Sequence, residues 1–116
     1  MFPTRLQLNK KTWDRLQYLQ TRTKLTPNVT ARLAITLALR DIRTATINIK
    51  KPEQVHVINR DTLFGEHEDA YAAMIKQFCS EQEVTADIND VVRSLIDNGL
   101  HKIGHLKTFS DLRTVF

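Results

Sequence analysis

Lys11, Arg15, Tyr18 and Arg22 recur at i, i+4, i+7 and i+11. On a helix that spacing gathers three cations and one aromatic ring into a single stripe. Such a stripe suits holding phosphates, with Tyr18 either stacked on an exposed base or buried at a subunit contact. Lys10 and Lys24 add charge at its two ends. The residues that could break bonds are poorer. His101 and His105 are four apart, but Gly99 and Gly104 interrupt their helix and no further ligand sits at a metal-site spacing. Cys79 follows Phe78 on an apolar face and reads as a small core residue. Glu66, Glu68 and Asp69 fit the first turn of a helix, where its dipole favours acids. No glycine-rich phosphate loop, nucleophile elbow or paired-cysteine motif is present. The expectation is a non-enzymatic protein without metal or cofactor.

The 116 residues, 41% hydrophobic and 26% charged, describe a single globular domain. No apolar run approaches membrane-spanning length, no secretory signal is evident, and one cysteine excludes a disulfide framework. A cytoplasmic location is expected. The net charge of +4 is unevenly divided. Residues 1–51 hold eleven Lys and Arg against Asp14 and Asp41, a net of +9, and the remainder nets −5. A basic half points to a polyanion and an acidic half to a different surface task.

The elements that must position these groups are mainly helical. Leu6 and Leu8 alternate with Arg5, Gln7 and Asn9 in a short strand. Asn9 caps a helix to about Thr23, and Thr26-Pro27 starts a second one to about Arg40. That second helix is apolar around most of its circumference, which predicts cover from another subunit. Arg32 and Arg40 on it suit a salt bridge between subunits, with Asp41 or the acidic half, or DNA. Residues 45–64 form an extended connector or two short strands, with Ile47 and Ile49 alternating with polar residues. A helix follows Gly65, and another, capped by Thr85, spans about 87–100 and ends or loosens at Gly99. The tail after Lys102 is apolar enough to dock. The single domain, 1–116, thus divides into a basic strand-helix-helix part (1–44), the connector (45–64) and an acidic helical part (65–116).

Strand-helix-helix is the layout of ribbon-helix-helix DNA binders, in which strands from two chains pair and enter the major groove. In that reading Arg5 and Gln7 face outward, and the backbone N–H groups near Asn28 and Val29 clamp phosphate. A transcriptional regulator of the antitoxin or autorepressor kind is therefore one functional alternative. A protein adaptor without DNA affinity is another.

Three segments carry a more specific likeness: Arg22-Thr23-Lys24-Leu25-Thr26-Pro27-Asn28, Asn59-Arg60-Asp61-Thr62-Leu63-Phe64-Gly65-Glu66, and Ile88-Asn89. Together they resemble the DndE family of the bacterial DNA phosphorothioation system, over about Arg5 to Leu106. The resemblance implies a small tetrameric protein that binds duplex DNA, preferentially nicked, beside the other proteins of that system. Lys24 stands where many members have glycine, the natural residue for a left-handed helix end, so lysine there either strains the helix end or ends the helix differently. On this reading the DNA-binding residues are Arg5, Gln7, Lys10, Lys11, Arg15, Arg22, Lys24 and Asn28.

Overall fold

The structure is a computed structural model that describes residues 1–41 and 45–103. In chain order it comprises β1 (Arg5–Asn9), α1 (Lys10–Thr23), α2 (Pro27–Arg40), β2 (Val55–Asn59), α3 (Arg60–Phe64), a 3-10 turn (Gly65–His67), α4 (Glu68–Glu81) and α5 (Ile88–Ile103). The expected mainly helical architecture, with an N-terminal strand and helical hairpin ahead of further helices, is present. The tail expected to dock begins at the end of α5 and lies outside the described residues from 104 onward.

Local chemistry explains the first elements. Leu6 and Leu8 are fully buried on one face of β1, while Arg5 and Gln7 are exposed on the other. The Asn9 side chain accepts from Lys11 N–H at 3.0 Å, satisfying one unpaired donor of the first turn of α1. α1 stops at Lys24, whose φ of 66° lies in the left-handed region and whose N–H closes on Gln20 O. Pro27 then opens α2. The Thr26 side chain makes no capping bond; its carbonyl instead accepts from Thr30 N–H at 3.0 Å.

The ribbon forms within one chain rather than between two. β1 pairs antiparallel with β2, Leu6 opposite Ile58 and Leu8 opposite His56. The outer edge of β1 is also closed. Asn89 of α5 accepts from Gln7 N–H at 2.8 Å and donates to Gln7 O at 2.9 Å, imitating a third strand. A second chain therefore cannot pair with β1 at its centre, which removes the intermolecular ribbon expected from ribbon-helix-helix geometry.

Helix α5 is the spine. Val91, Val92, Leu95, Ile96 and Leu100 are buried, and the helix packs most extensively on α2. Gly99 does not end α5. It sits mid-helix and fully within the packing, where a Cβ would overlap the backbone of Ala34. Ala31, Ala34 and Ala38 line α2 as buried small residues, so the two helices approach at backbone distance. Asp87, rather than Thr85, caps α5 by accepting from Asn89 N–H at 3.1 Å. The cover expected for α2 from another subunit comes largely from within the chain, from α5, α1, α3 and α4. Arg32 is structural: it donates to Leu63 O at 2.7 Å. Asp41 meets Lys102 at 3.4 Å.

Residues 45–51 are extended without a strand partner. Side chains of α5 act as their hydrogen-bonding template. Asn98 donates to Thr46 O, Ser94 accepts from Asn48 N–H at 2.8 Å, and Arg93 donates to Asn48 O and Lys50 O. The polar members of the alternation thus face α5 through their backbone, and Ile49 is left 69% exposed.

Candidate nucleic-acid interface

Helix α1 presents the stripe to solvent. Leu16, Leu19 and Thr23 are buried beneath it, while Lys11, Arg15, Tyr18 and Arg22 are all exposed. The stripe extends about 16 Å, the axial length of roughly five base-pair steps. Its members differ in how free they are. Lys10 is held by Asp14 at 3.1 Å, so part of its charge is neutralised locally. Lys11 and Arg15 have no ion-pair partner among the described residues. Arg22 Nε donates to the Tyr18 hydroxyl at 3.2 Å, with its guanidinium 5.4 Å from the ring centre. That contact orders both side chains on the exposed face. Tyr18 is 55% exposed, so within the chain it is not a buried tyrosine.

Beyond the stripe, Lys24 is exposed at the turn, and the N-terminus of α2 follows it. That first turn contains no acidic residue, and Asn28 within it is half-buried. Arg5 and Gln7 expose their side chains on the ribbon. The pairings Gln7 with Asn89 and Thr12 with Asp97 set β1 and the start of α1 along one flank of α5. Arg5, Gln7, Lys11 and Arg15 therefore follow one another along that flank, whereas Arg22 and Lys24 lie at the far end of α1.

The fold adds cations that the sequence reading left in the connector. Lys50 and Lys51, with Asn9, Arg93 and Asp97, line a hollow of about 190 Å³. Lys11, Arg15, Asp97 and His101 line an adjoining one of about 250 Å³. Asp97 is common to both. Burial pushes its carboxyl above the ordinary value, against a hydrogen bond from the Thr12 hydroxyl and the charge of Arg93. Lys51 also reaches Asp90 at 3.0 Å. Asp90 and Arg93 form a buried pair at 2.7 Å. Burial alone would raise the Asp90 carboxyl, but hydrogen bonds and charge from Lys51 and Arg93 outweigh it and hold it low. The only sequence signal for this cluster was two adjacent lysines before Pro52.

The bond-breaking candidates are not gathered into a site. Burial raises the Cys79 thiol above its ordinary value, the opposite of activation. His101 is exposed on α5, and His105 lies outside the described residues. Among the described residues no group of three or more His, Cys, Asp or Glu could hold a metal, and no helix is long and apolar enough to cross a membrane.

The sequence model of the family described as DNA sulphur modification protein DndE matches residues 5–111. The chain belongs to the DndE family. It is similar to the crystal structure of DndE from Escherichia coli B7A, a protein involved in DNA phosphorothioation modification. The TM-score is 0.73 at 25% identity, over 89% of this chain and 98% of that one. A crystal structure of a DndE mutant with two glycines replaced by lysine shares the fold, with a TM-score of 0.63 at 24% identity. It covers 87% of this chain and 99% of its own. No curated protein sequence matches. Family membership ties the chain to DNA phosphorothioation.

Of the segments that carried the likeness, residues 59–66 are structural. Asn59 caps α3 by accepting from Asp61 N–H at 2.8 Å. Arg60 donates to Phe2 O at 3.1 Å and meets Glu68 at 3.0 Å. Gly65 adopts φ 54° and ψ −132°, a conformation that essentially requires glycine. In this chain residues 59–66 mark how the ribbon is joined to the helices, whereas residues 22–28 carry part of the charged surface.

Proposed function

We propose that this DndE-family chain is a non-catalytic subunit of the phosphorothioation system that holds duplex DNA, with preference for a nick. Its cytoplasmic partners are the other proteins of that system, and it self-assembles, as the tetramer that the resemblance implies. The observation that carries the reading is the α1 stripe. Lys11 and Arg15 are exposed and unpaired among the described residues, and Arg22 is ordered by Tyr18 rather than neutralised by an acid. Replacing a phosphate oxygen by sulfur requires the backbone to be held without reading bases, which is what such cations do. Lys24, Arg5, Lys50 and Lys51 extend the surface; Gln7 and Asn28 add neutral polar contacts. Lys10 contributes less because of Asp14. Tyr18 offers a stacking face for a base exposed at a nick.

Four full contacts, from Lys11, Arg15, Arg22 and Lys24, give a log–log salt slope of about −4 per bound protomer on duplex DNA. Reversing Lys11, Arg15 and Arg22 together to Glu is expected to abolish binding in fluorescence anisotropy while the helical circular dichroism stays unchanged. All three side chains are exposed, so the core is untouched. A folded triple variant that binds normally would remove α1 as the DNA face.

A further inference from the structure

Helix α4 is the least covered of the long helices. Only Ile75 and Phe78 of its fourteen residues are buried, against ten of sixteen in α5. Between α4 and the end of α2 lies an apolar hollow of about 450 Å³, lined by Leu39, Ala73, Met74, Gln77, Phe78 and Glu81. Phe78 is buried beneath it, and Met74 stands 40% exposed. Glu81 accepts from Gln77 Nε2–H at 2.6 Å and meets no cation among the described residues. A hollow that combines an uncovered methionine with an unpaired acid is a seat for an amphipathic segment carrying a positive charge.

We propose that this seat is filled by the chain's own C-terminal residues, 104–116, running antiparallel to α4. Position argues for it. α5 ends at Ile103, and Lys102 Nζ meets Asp41, two residues beyond Leu39, at 3.4 Å. The chain therefore leaves α5 beside the hollow. Helices α2 and α4 run the same way, since Thr36 meets Tyr71 and Leu39, three residues on, shares the hollow with Met74 and Phe78. A segment entering beside Asp41 reaches the Glu81 end first and proceeds toward Ala73. Length suffices: the thirteen residues span about 20 Å as a helix and about 45 Å extended, against about 12 Å from Ala73 to Glu81. Composition matches as well. At helical spacing Leu106, Phe109, Leu112 and Phe116 share one face. Lys107 and Arg113 outnumber Asp111, and Lys107, early in the segment, arrives where Glu81 stands. The seating goes beyond the DNA-binding reading and does not depend on it.

The test is disulfide formation within the full chain, with Cys79→Ala removing the native thiol. Leu112→Cys is combined either with Met74→Cys, on the hollow side of α4, or with Lys76→Cys, exposed on its other side. On oxidation at low micromolar concentration the 74–112 pair is expected to close at least about tenfold faster than the 76–112 pair, giving a product of single-chain mass. A second measurement needs no new cysteine. Phe109→Asp/Leu112→Asp should unseat the segment and raise amide hydrogen exchange in residues 74–81 about tenfold, with the rest of the chain unchanged. Equal rates for the two cysteine pairs would overturn the proposal and leave the hollow to another protein. A 74–112 disulfide that joins two chains would overturn it too, giving the hollow to the segment of a neighbouring copy. Unchanged exchange in the folded double-aspartate variant would overturn it equally.

Discussion

Gly99→Ala separates two accounts of α5 by the sign of its effect. If Gly99 ended or loosened the helix, alanine would be neutral or would stabilise it by about 1 kcal/mol through helix propensity. In the structure Gly99 is buried at the crossing with α2, and an added Cβ would stand 2.6 Å from Ala34 Cα and closer still to its carbonyl. Ordinary carbon–carbon contact lies near 3.5–4.0 Å, so the helices would have to part by about 1 Å or more. The obstacle is backbone, so no rotamer change relieves it. Overpacking of this kind costs about 3 kcal/mol. Less the propensity gain, the net loss is about 2 kcal/mol. For a chain of this length that lowers the melting temperature by roughly 8 °C. Urea unfolding followed by circular dichroism should show a lower midpoint at an unchanged slope. Ala34→Gly should not rescue the variant, because the overlapped atoms are those of the main chain. A Gly99→Ala protein as stable as wild type, or rescue by Ala34→Gly, would refute the close crossing.

Other consequences follow from the polar face of α5. Arg93→Met leaves Asp90 dependent on Lys51 alone, strips the Lys50 carbonyl of its donor and leaves the Asn48 carbonyl only the long contact from the Ser94 hydroxyl. A loss of about 3–5 kcal/mol is expected in urea unfolding, and a loss below about 1 kcal/mol would contradict the buried-pair account. Asp97 and Asp90 should act oppositely on the pH profile of stability. The Asp97 carboxyl is raised in the folded state, so its protonated form is favoured by folding and stability falls as pH rises from the unfolded carboxylate value, about 4, to the raised folded one. Asp90 is lowered, so its contribution is lost as pH falls from about 4 through its depressed value. Asp97→Asn retains an acceptor for the Thr12 hydroxyl and should be more stable than wild type at neutral pH, with the advantage fading in acid. The same variant removes a negative charge from between Lys11, Arg15 and Lys51, so its DNA affinity should rise. Lower stability at neutral pH or weaker binding would count against this placement of Asp97.

The parts legible in the sequence were those decided locally. Asn9 and Pro27 mark the starts of α1 and α2, and the alternation at Leu6 and Leu8 sets the inward face of β1, whereas the left-handed conformation of Lys24 became visible only in the structure. The cationic stripe was legible for the same reason, since helical spacing alone puts Lys11, Arg15 and Arg22 together. What was not legible depended on partners distant in sequence. The strand facing β1 lies some fifty residues away at Val55–Asn59, and its other neighbour is an asparagine side chain on α5. Gly99 has the composition of a helix end and the location of a helix crossing, and only the proximity of Ala34 distinguishes the two. Residues 46–50 alternate like a strand, yet their ladder partners are Arg93, Ser94 and Asn98 of a helix, so Ile49 is left outside. Lys50 and Lys51 join Lys11 and Arg15 only after that docking, through Asp97.

The central claim is that the α1 stripe holds the phosphate backbone of DNA. The most direct measurement is the affinity of the full chain for one duplex, intact and singly nicked, repeated on a scrambled sequence and over a range of salt. The account predicts tighter binding to the nicked duplex on both sequences, with a log–log salt slope near −4 per bound protomer. Binding confined to one sequence and indifferent to the nick, or no binding at low salt, would contradict it.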